Sequence, residues 1–437
     1  MKVLKFGSAS IATADKLRTV ASIVSKEQGN IIVLSSMRGT AEALAEISDY
    51  LYRKNQEGAV EIINKLEKQY MDLVVSLFDR DKIKSLAIEL ISSKFNYIRT
   101  FTKDLFTLFE ERVVMAQGEL ISSELFYLYM QDRKVNAVLI PALDFMRTDK
   151  NAAPDPVYIK DKLLALLDAS KDADVYITQG YICRNAYGEI DDLRKGGSDF
   201  SASLIGVAVD AKEVQIWADV YSMQNNDPRY VKGTTPIRQL NFDEAAELAY
   251  FGSKILHPSS ILPAKLADIP VRLKNTEFPE SAGTLISNTT EVNVIKAVGA
   301  RDNITAIKIK SGRMLLAHGF LRRVTEVFEN YQTSIDMLAT SEIGVSLTID
   351  DNRNLQAIVD DLKKYGTVSV DPDMVIVSVI GDLESEDSGI AVDIMGSMNE
   401  IPVRMLSYGG SKYNFSFLIH KKDKEKTLQI LNDKLFN

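Results

Sequence analysis

Two short runs of residues that follow apolar segments have the composition of a phosphate-binding site. Lys5-Phe6-Gly7-Ser8 has small residues that would let a phosphate approach the backbone, and its lysine supplies a cation. Lys195-Gly196-Gly197-Ser198-Asp199 precedes an apolar-periodic run, and glycines before a Ser or Asp favour the anion-receptive start of a helix. Helix capping alone would explain Ser198, but it would not explain the paired glycines or Lys195.

Neither run decides the chemistry alone, because a strand followed by Lys-X-Gly occurs by chance in many sheets. Asp227-Pro228-Arg229 and Ser253-Lys254-Ile255-Leu256-His257-Pro258 add an arginine and a lysine on loops, where a charge is more often solvated than bound to a ligand. The glycine-lysine loop of the Walker type, G-x-x-x-x-G-K-[ST], does not occur in the sequence. Any phosphate chemistry would therefore need another fold.

The elements that must position these residues alternate between strands and helices along most of the chain. Apolar runs bounded by turn residues recur between segments with helical periodicity. This alternation predicts an α/β fold with a mostly parallel central sheet sandwiched by helices. The predicted strands are Val3–Phe6, Ile31–Leu34, Ala137–Ile140, Val175–Thr178, Val214–Trp217 and Val271–Leu273.

A long segment without proline, from Leu44 to Met130, interrupts this alternation. Apolar residues at helical spacing predict a helical insertion at about 45–115 that packs on the sheet. Core packing explains these residues, and a docking surface for another subunit is the alternative. The apolar residues at this spacing are Ile62, Ile63, Leu66, Tyr70, Leu73, Val74 and Leu77.

From about Ile304 the pattern changes to two βαββαβ repeats of roughly 65 residues each. The stretch from Met337-Leu338 to Ser346-Leu347 resembles the stretch from Met405-Leu406 to Ser416-Phe417, as if one element were used twice. Such a duplication suggests paired ligand-sensing modules. The predicted strands are Ile304–Ile309, Ile335–Ala339, Val345–Ile349, Met374–Ile380, Val403–Leu406 and Tyr413–Ile419, and the helices are Phe320–Phe328, Ile390–Met398 and a charged C-terminal one.

Composition excludes several classes of protein. The 437 residues exceed one ordinary hydrophobic core, so we expect two or three domains. With 46% hydrophobic and 26% charged residues and no apolar run long enough to cross a bilayer, we expect a globular chain without a membrane partner. A net charge of −8 without a basic stripe argues against nucleic acid as a partner. The substrate is therefore expected to be small.

The sequence has too few cysteines to form an internal disulfide, and too few clustered cysteines and histidines to bind zinc. Cys183 is the only cysteine, which excludes an internal disulfide, and the three histidines are scattered. We therefore expect no metal site built from protein side chains, and any metal to be held by oxygens. The first residues alternate into a strand and show no secretory signal, so we expect a cytoplasmic protein.

Taken in order, the motifs resemble those of the aspartokinases, which belong to the amino-acid kinase superfamily. The motifs are Lys5-Phe6-Gly7, Gln117-Gly118-Glu119, Thr178-Gln179-Gly180-Tyr181, Gly196-Gly197-Ser198-Asp199, Asp227-Pro228-Arg229, Lys254-Ile255-Leu256-His257-Pro258 and Lys274-Asn275-Thr276. The resemblance covers essentially the whole chain, because the tail resembles tandem ACT repeats. It implies a catalytic domain at 1–290 and a regulatory domain at 300–437, with ACT-like repeats at about 300–370 and 371–437 that pair across a homodimer.

The resemblance also implies a role for each motif residue. Lys5 would lie on the transferring phosphoryl group and Asp199 would hold the lysine and the reacting carboxylate in place. Glu119 would pair with the α-ammonium of L-aspartate, and Lys195, Ser198 and Ala41 would complete the substrate site. ATP would be held, with Mg²⁺ bridging its phosphates through substrate oxygens and waters, by Lys5, Gly7, Ser8, Ala218, Asp219, Gln224, Arg229 and Lys254.

Several positions depart from the family pattern, and most lie in the predicted pocket. Lys195 offers a point charge where the family's arginine would bind a carboxylate through two hydrogen bonds. Arg194 is an alternative residue for binding the substrate carboxylate. Other changes remove hydroxyls that could face the ligands. The departures are Ser8, Ala9, Ala41, Lys195, Ala218, Tyr221 and Ser222, where the family usually has glycine, threonine, threonine, arginine, threonine, aspartate and glycine.

The tail resembles the effector site of lysine-sensitive aspartokinases. Asp336 and Glu342 would pair with the cationic groups of lysine, and backbone amides at 319–321 would take its carboxylate. Ordinary surface acids are the alternative interpretation of these two carboxylates. The residues implied in lysine binding are Met314, Phe320, Leu321, Asp336, Ser341 and Glu342.

Three functions remain open from the sequence. The first is an aspartokinase that phosphorylates the side-chain carboxylate of L-aspartate with ATP to 4-phospho-L-aspartate, the first step of lysine, threonine and methionine biosynthesis, and is inhibited by lysine. The second is a kinase of the same superfamily for glutamate, acetylglutamate or UMP. The third is a catalytically impaired paralogue that binds lysine or nucleotide and regulates a partner. Retention of Lys5, Glu119 and Asp199 favours the first.

Overall fold

A computed structural model describes residues 1–103, 105–194, 196–219, 223–251, 256–312, 318–383 and 389–436. The predicted site residues Lys195, Lys254 and Met314, and the departures Tyr221 and Ser222, lie outside the described residues. The chain divides into two compact units, Met1–Ser222 with Leu256–Asn288, and Met223–Ile255 with Thr289–Asn437. The second unit thus includes a segment, 223–255, that the sequence prediction assigned to the catalytic domain; the domain boundaries at 290 and 300 stay a prediction.

The strands and helices follow one another much as the alternating pattern predicts. In chain order the strands are β1 Val3–Phe6, β2 Asn30–Leu34, β3 Ala137–Leu139, β4 Val175–Gln179, β5 Ile182–Arg184, β6 Ile190–Asp192, β7 Val214–Ala218, β8 Gln239–Asn241, β9 Val271–Asn275, β10 Thr284–Ser287, β11 Ile295–Lys310, β12 Leu338–Ser341, β13 Gly344–Ile349, β14 Thr367–Gly381, β15 Met405–Tyr408 and β16 Asn414–His420. The helices are α1 Ala14–Val24, α2 Thr40–Tyr52, α3 Gln56–Leu77, α4 Asp81–Thr100, α5 Leu108–Asp132, α6 Ala142–Phe145, α7 Pro156–Ala169, α8 Gly197–Ala208, α9 Phe242–Phe251, α10 Leu262–Leu266, α11 Phe320–Asn330, α12 Leu355–Leu362, α13 Gly389–Ser397 and α14 Lys424–Leu435.

The first unit is built on a sheet whose strands lie in the order β3-β4-β2-β1-β7-β9-β10. All pairs are parallel except β10, which runs antiparallel to β9. The order reverses at β1, because β2 lies on one side of it and β7 on the other. Open parallel sheets bind their ligands outside the carboxyl ends of the strands at such a reversal. The fold therefore places the expected site at the ends of β1, β2, β4 and β7.

The helical insertion packs into the same core as the sheet. Ile63, Tyr70 and Leu77 of α3 are buried in one cluster with Leu4 and Ile32 of the central strands. Core packing thus explains the apolar spacing of this helix. These buried side chains are not available as a docking surface.

In the second unit, six antiparallel strands lie in the order β12-β13-β11-β14-β16-β15. The predicted α/β fold with a parallel sheet and an ACT-like C-terminal part is confirmed, but the two repeats are nested rather than successive. Residues 305–310 of β11 pair with β13 and with the start of β14, whereas residues 295–301 pair with the end of β14, beside β16. The second repeat therefore takes its fourth strand from the part of the chain that precedes the first repeat.

A local irregularity explains why the sequence hides this nesting. β11 and β14 change register between Arg301 and Ala306, and Asn303 and Asp373 have positive φ angles of 62° and 58°. Asn and Asp tolerate this left-handed conformation and mark turns in sequence patterns. The predicted strands consequently began only at Ile304 and Met374. A smaller difference affects the strand predicted at Ile335–Ala339. The observed strand begins at Leu338, because the Met337 N–H donates its hydrogen bond to the Thr348 hydroxyl instead of to a backbone carbonyl.

Within the described ranges, no helix is long and apolar enough to cross a membrane. The cytoplasmic location expected from the sequence stays a prediction.

Candidate active site

Lys5 and Asp199 form an ion pair at the carboxyl end of the central strand. Lys5 lies next to the end of β1, between β2 and β7, and its Nζ is 2.5 Å from Oδ1 of Asp199 in the first turn of α8. Both side chains are largely buried, at 11% and 17% exposed. Gly7 leaves room for this lysine, since a Cβ there would lie 3.3 Å from Nζ. The structure thus brings together the two predicted catalytic residues and the predicted phosphate-binding turn.

The start of α8 is packed tightly against the end of β4. A Cβ on Gly180 would lie 2.3 Å from Cβ of Ser198, so only glycine fits there. Gly196 and Gly197 have φ angles of 100° and 57°, which explains the paired glycines. The helix has no side-chain cap. The capping interpretation of Ser198 is therefore wrong, because its hydroxyl instead hydrogen-bonds that of Ser35, 2.6 Å away.

Glu119 of α5 is a buried acid that faces the end of β2. Its side chain accepts a hydrogen bond from the Ser36 N–H at 3.2 Å, and the residue is only 7% exposed. Burial raises the pKa of Glu119 to about 7, the Ser36 N–H opposes the rise, and the charge of Asp192 adds to it. Gly118 allows this approach, because a Cβ there would lie 2.9 Å from Cβ of Ser36. Glu119 is therefore a buried carboxyl group with little contact with solvent.

Ala41 lies at the start of α2, which packs against α5, the helix that contains Glu119. The preceding residue, Thr40, packs near Gly118 and hydrogen-bonds the Tyr70 hydroxyl at 2.8 Å. Gly39 precedes the helix with a φ of 85°. The predicted substrate residue Ala41 is therefore on the segment that contacts the Glu119 helix, although its methyl group offers no hydrogen bond.

A hairpin formed by β5 and β6 adds polar groups beside Glu119. The Tyr181 N–H donates to the Ser201 hydroxyl at 2.8 Å, and Tyr181 has a φ of 66°. Burial and the neighbouring Asp192 raise the pKa of the Tyr181 hydroxyl. Arg112 of α5 pairs with Asp191 at 3.2 Å. Arg194, the alternative grip on the substrate, is exposed with a φ of 51°.

The ends of β7 and β9 are tied together where the nucleotide is expected. The Ala218 carbonyl accepts from the Thr276 N–H at 2.8 Å and from its hydroxyl at 3.0 Å. That hydroxyl also contacts the Ser10 hydroxyl at 2.7 Å. Asp219 follows β7 and is 3.4 Å from Nζ of Lys16. Ser8, Ala218 and Asp219 therefore lie on neighbouring segments of one sheet edge.

Two predicted nucleotide residues lie in the second unit. The side chain of Arg229 is 74% exposed and forms a bidentate ion pair with Asp227, whose closest contact is 2.6 Å. Gln224 is bridged to Pro236. The first unit therefore does not contain the whole predicted nucleotide set.

The predicted effector residues also lie in the second unit. Phe320 is buried at the start of α11 after Gly319, whose φ is 76°, and Leu321 is 41% exposed. Ser341 and Glu342 are exposed at the end of β12. The side chain of Asp336, by contrast, is only 1% exposed. The interpretation of Asp336 as a surface acid is therefore wrong.

Asp336 is already paired within this unit. Its Oδ1 accepts a hydrogen bond from the Tyr250 hydroxyl at 2.5 Å and lies 3.5 Å from Nη1 of Arg301. Arg301 also pairs with Asp350 and lies 4.2 Å from the centre of the Tyr250 ring. Burial raises the pKa of Asp336, which Tyr250 and Arg301 oppose. Its second carboxylate oxygen has no hydrogen bond among the described residues.

Comparison with known proteins connects this geometry to a family. Residues 1–275 match the model of the amino acid kinase family, and residues 377–435 match an ACT domain. Lysine-sensitive aspartokinase 3 of Escherichia coli is 31% identical over 448 residues, which cover 99% of this chain and 99% of that protein. The chain belongs to the aspartokinases.

Solved structures agree with this assignment. E. coli aspartokinase III in complex with lysine and aspartate, called the T-state, matches with a TM-score of 0.84. The same enzyme with aspartate and ADP, called the R-state, matches with a TM-score of 0.79. Each match is 30% identical and covers 100% of both chains. The predicted aspartate kinase activity is confirmed by these comparisons, and the alternative of a purely regulatory paralogue is not supported.

The sequence motifs did not indicate several residues that lie beside the predicted site residues. Ser35 and Ser36 contact two predicted substrate residues, yet no motif singled them out. The available signal was their position, since two small polar residues directly follow a buried strand. Asp192 and Lys16 gave no such signal, because single charges on a hairpin and on a helix are common.

Proposed function

We propose that this aspartokinase transfers the γ-phosphoryl group of MgATP to the side-chain carboxylate of L-aspartate and that lysine inhibits it. The observation that carries the catalytic part is the Lys5–Asp199 pair, 2.5 Å apart at the end of the central strand. E. coli aspartokinase III, with which the chain aligns from end to end, has been solved with aspartate and ADP and with lysine and aspartate.

The transfer needs no covalent protein intermediate, because a carboxylate is already a nucleophile. Lys5 neutralises charge that develops on the phosphoryl oxygens, and Asp199 fixes the direction of the lysine. Holding the two reactants in line supplies most of the remaining acceleration. Glu119 takes the α-ammonium of aspartate, and Ser198, oriented by Ser35, donates to a substrate carboxylate.

The nucleotide is proposed to lie along the segments that follow β1 and β7. Gly7 and Ser8 offer backbone at the phosphates, and Ala218 and Asp219 lie at the neighbouring strand end. In the part of the chain that the structure describes, no three His, Cys, Asp or Glu side chains are grouped to hold a metal. Magnesium is expected to arrive as part of the substrate, MgATP, because Mg²⁺ usually keeps several waters and binds substrate phosphates rather than a cage of protein ligands.

Lysine inhibition is proposed to act through the second unit, with Asp336 as a ligand of a lysine ammonium group. The buried carboxylate suits this role, because a charge in a poorly solvated place binds an opposite charge strongly. Lysine binding would have to displace Tyr250 and Arg301 from their contacts with the Asp336 carboxylate. Inhibition then requires that lysine favour one arrangement of the protein over another.

A homodimer formed through the ACT-like repeats is also proposed. Its support is that Leu338 on edge strand β12, and Leu406 and Tyr408 on edge strand β15, are about two-fifths exposed. Light scattering measures the mass directly, and a value near one chain would contradict the dimer.

The test of the catalytic proposal is formation of aspartyl phosphate from L-aspartate and MgATP, trapped with hydroxylamine. Lys5→Met should abolish the hydroxamate while leaving the fold intact by circular dichroism. Lys26→Met is the matched control, because Lys26 pairs with Glu280 on the surface at 2.6 Å and should tolerate the change. A folded Lys5→Met variant with wild-type turnover would overturn the assignment.

A further inference from the structure

Lys16 lies at the predicted nucleotide site, although no motif pointed to it. It occupies the first turn of α1, where its N–H donates to the Thr13 hydroxyl. Its Nζ donates to the carbonyl of Ala9 at 2.9 Å and is 3.4 Å from Oδ2 of Asp219. The ammonium group therefore joins the segment after β1 to the segment after β7, the two strands between which the strand order reverses.

The charges at this edge show what the ammonium group does there. A nucleotide phosphate near Asp219 and the Ala9 carbonyl would meet a carboxylate and the negative end of a backbone dipole. The positive charge of Lys16 compensates the negative charge on both oxygens. An ammonium group has three N–H donors, and these two contacts use two of them. Among the residues that the structure describes, no other acceptor contacts this ammonium group, so its third N–H can donate to a phosphate oxygen.

Two other lysines of the first unit are committed elsewhere. Lys5 pairs with Asp199 at the reacting end of the site. Lys274 donates to the carbonyls of Pro279 and Ser281 and lies 5.2 Å from the centre of the Trp217 ring. Lys16 is thus the cation that the described part of this unit places between the two proposed nucleotide segments.

A purely structural role would leave little trace in binding. The side chains of Lys16 and Asp219 are 29% and 27% exposed, and ion pairs with this much solvent contact add little to stability. A ligand can reach the pair, whereas a buried pair would be closed to it. The location and exposure therefore favour a role in binding over one in folding.

We propose that Lys16 is a phosphate-binding cation of the nucleotide site, in addition to Lys5. This inference rests on the proposed placement of the nucleotide along Gly7, Ser8, Ala218 and Asp219. Lys16 is expected to bind phosphates that stay on the nucleotide, so it contributes to nucleotide affinity more than to the transfer step.

The test compares Lys16→Met with the wild type and with Lys16→Arg. Methionine keeps the length of the side chain but removes the charge, so KM for MgATP should rise about tenfold, the usual effect of one partly exposed charged hydrogen bond. KM for aspartate should stay within twofold of wild type. Lys16→Arg should recover most of the nucleotide affinity. The dissociation constant of ADP from calorimetry should rise by the same factor as KM for MgATP.

Lys26→Met is again the matched control and should change neither constant, because Lys26 pairs with Glu280 on the surface. An unchanged ADP dissociation constant in Lys16→Met would overturn the inference. So would equal rises in both KM values together with a lowered melting temperature, since these would indicate a structural role. Wild-type protein that binds ADP but makes no aspartyl phosphate would refute the proposed function alone, because ADP titration still tests Lys16.

Discussion

The affinity for aspartate should increase as pH rises through about 7, because Glu119 can pair with the substrate ammonium only when it is ionised. Burial raises the pKa of this carboxyl from 4.5 to about 7, while the Ser36 N–H partly stabilises the charged form. The α-ammonium of aspartate stays protonated over this range. The Glu119 carboxyl group, and not the substrate ammonium, therefore changes its protonation near neutral pH.

The size of the effect follows from the titration of one group. With a pKa of about 7, the ionised fraction is about one tenth at pH 6 and about nine tenths at pH 8. KM for aspartate should therefore fall about tenfold over this interval. The effect on folding has the opposite direction. The folded pKa lies above the unfolded value, so stability decreases as pH rises from about 4.5 to about 7, by up to about 3 kcal/mol.

The assay is the hydroxamate rate at saturating MgATP, measured over a range of aspartate concentrations at pH 6, 7 and 8. Glu119→Gln provides the control, because the amide oxygen can still accept the Ser36 N–H but carries no titrating charge. Its KM should be high and should vary little with pH. A wild-type KM that is flat or increases from pH 6 to pH 8 would refute the role of Glu119 as the ammonium ligand.

Three further predictions concern the effector acid, its tyrosine partner and the tightly packed end of β4. Asp336→Ala should relieve lysine inhibition with the uninhibited rate nearly unchanged, and retained lysine sensitivity would contradict the placement of the effector site. Tyr250→Phe removes a hydroxyl that competes with lysine for Asp336, so several-fold less lysine should give half-inhibition. Tyr331→Phe is the control, because it loses a comparable 2.9 Å hydrogen bond to Asp361. Equal shifts of the half-inhibiting lysine concentration in both variants would refute competition at Asp336. Gly180→Ala should lower the free energy of unfolding by about 1–3 kcal/mol, because the added methyl group would lie 2.3 Å from Cβ of Ser198, and an unchanged melting curve would contradict this packing.

Buried parallel strands were the part of the fold that the sequence predicted best. β1 agrees with its predicted range, and β4 and β7 each run one residue further, because continuous apolar runs between turn residues have few other interpretations. The nesting of the ACT-like repeats was not predictable in this way. Asn303 and Asp373 interrupt two long strands with left-handed backbone, and a local pattern cannot distinguish such an interruption from a loop.

The site shows the same division between local and long-range information. The paired glycines at 196–197 were recognised from local sequence, and their positive φ angles explain them. The partner of Ser198 was missed, because the Ser35 hydroxyl is brought to it only when β2 and β4 align in the sheet. Asp336 was underestimated for a related reason, since Tyr250 and Arg301 reach it from distant parts of the chain.

The distribution of charge at the sheet edge supports the proposed orientation of the two substrates. Asp199 pairs with Lys5, and Asp219 with Lys16. Within the described ranges, Glu119 has no ion pair and its polar partner is a backbone N–H. The edge therefore has cations between β1 and β7, where phosphates are expected, and an uncompensated acid beside β2. A substrate with an ammonium group at one end and a nucleophilic carboxylate at the other fits such a site in one direction, with its carboxylate towards Lys5.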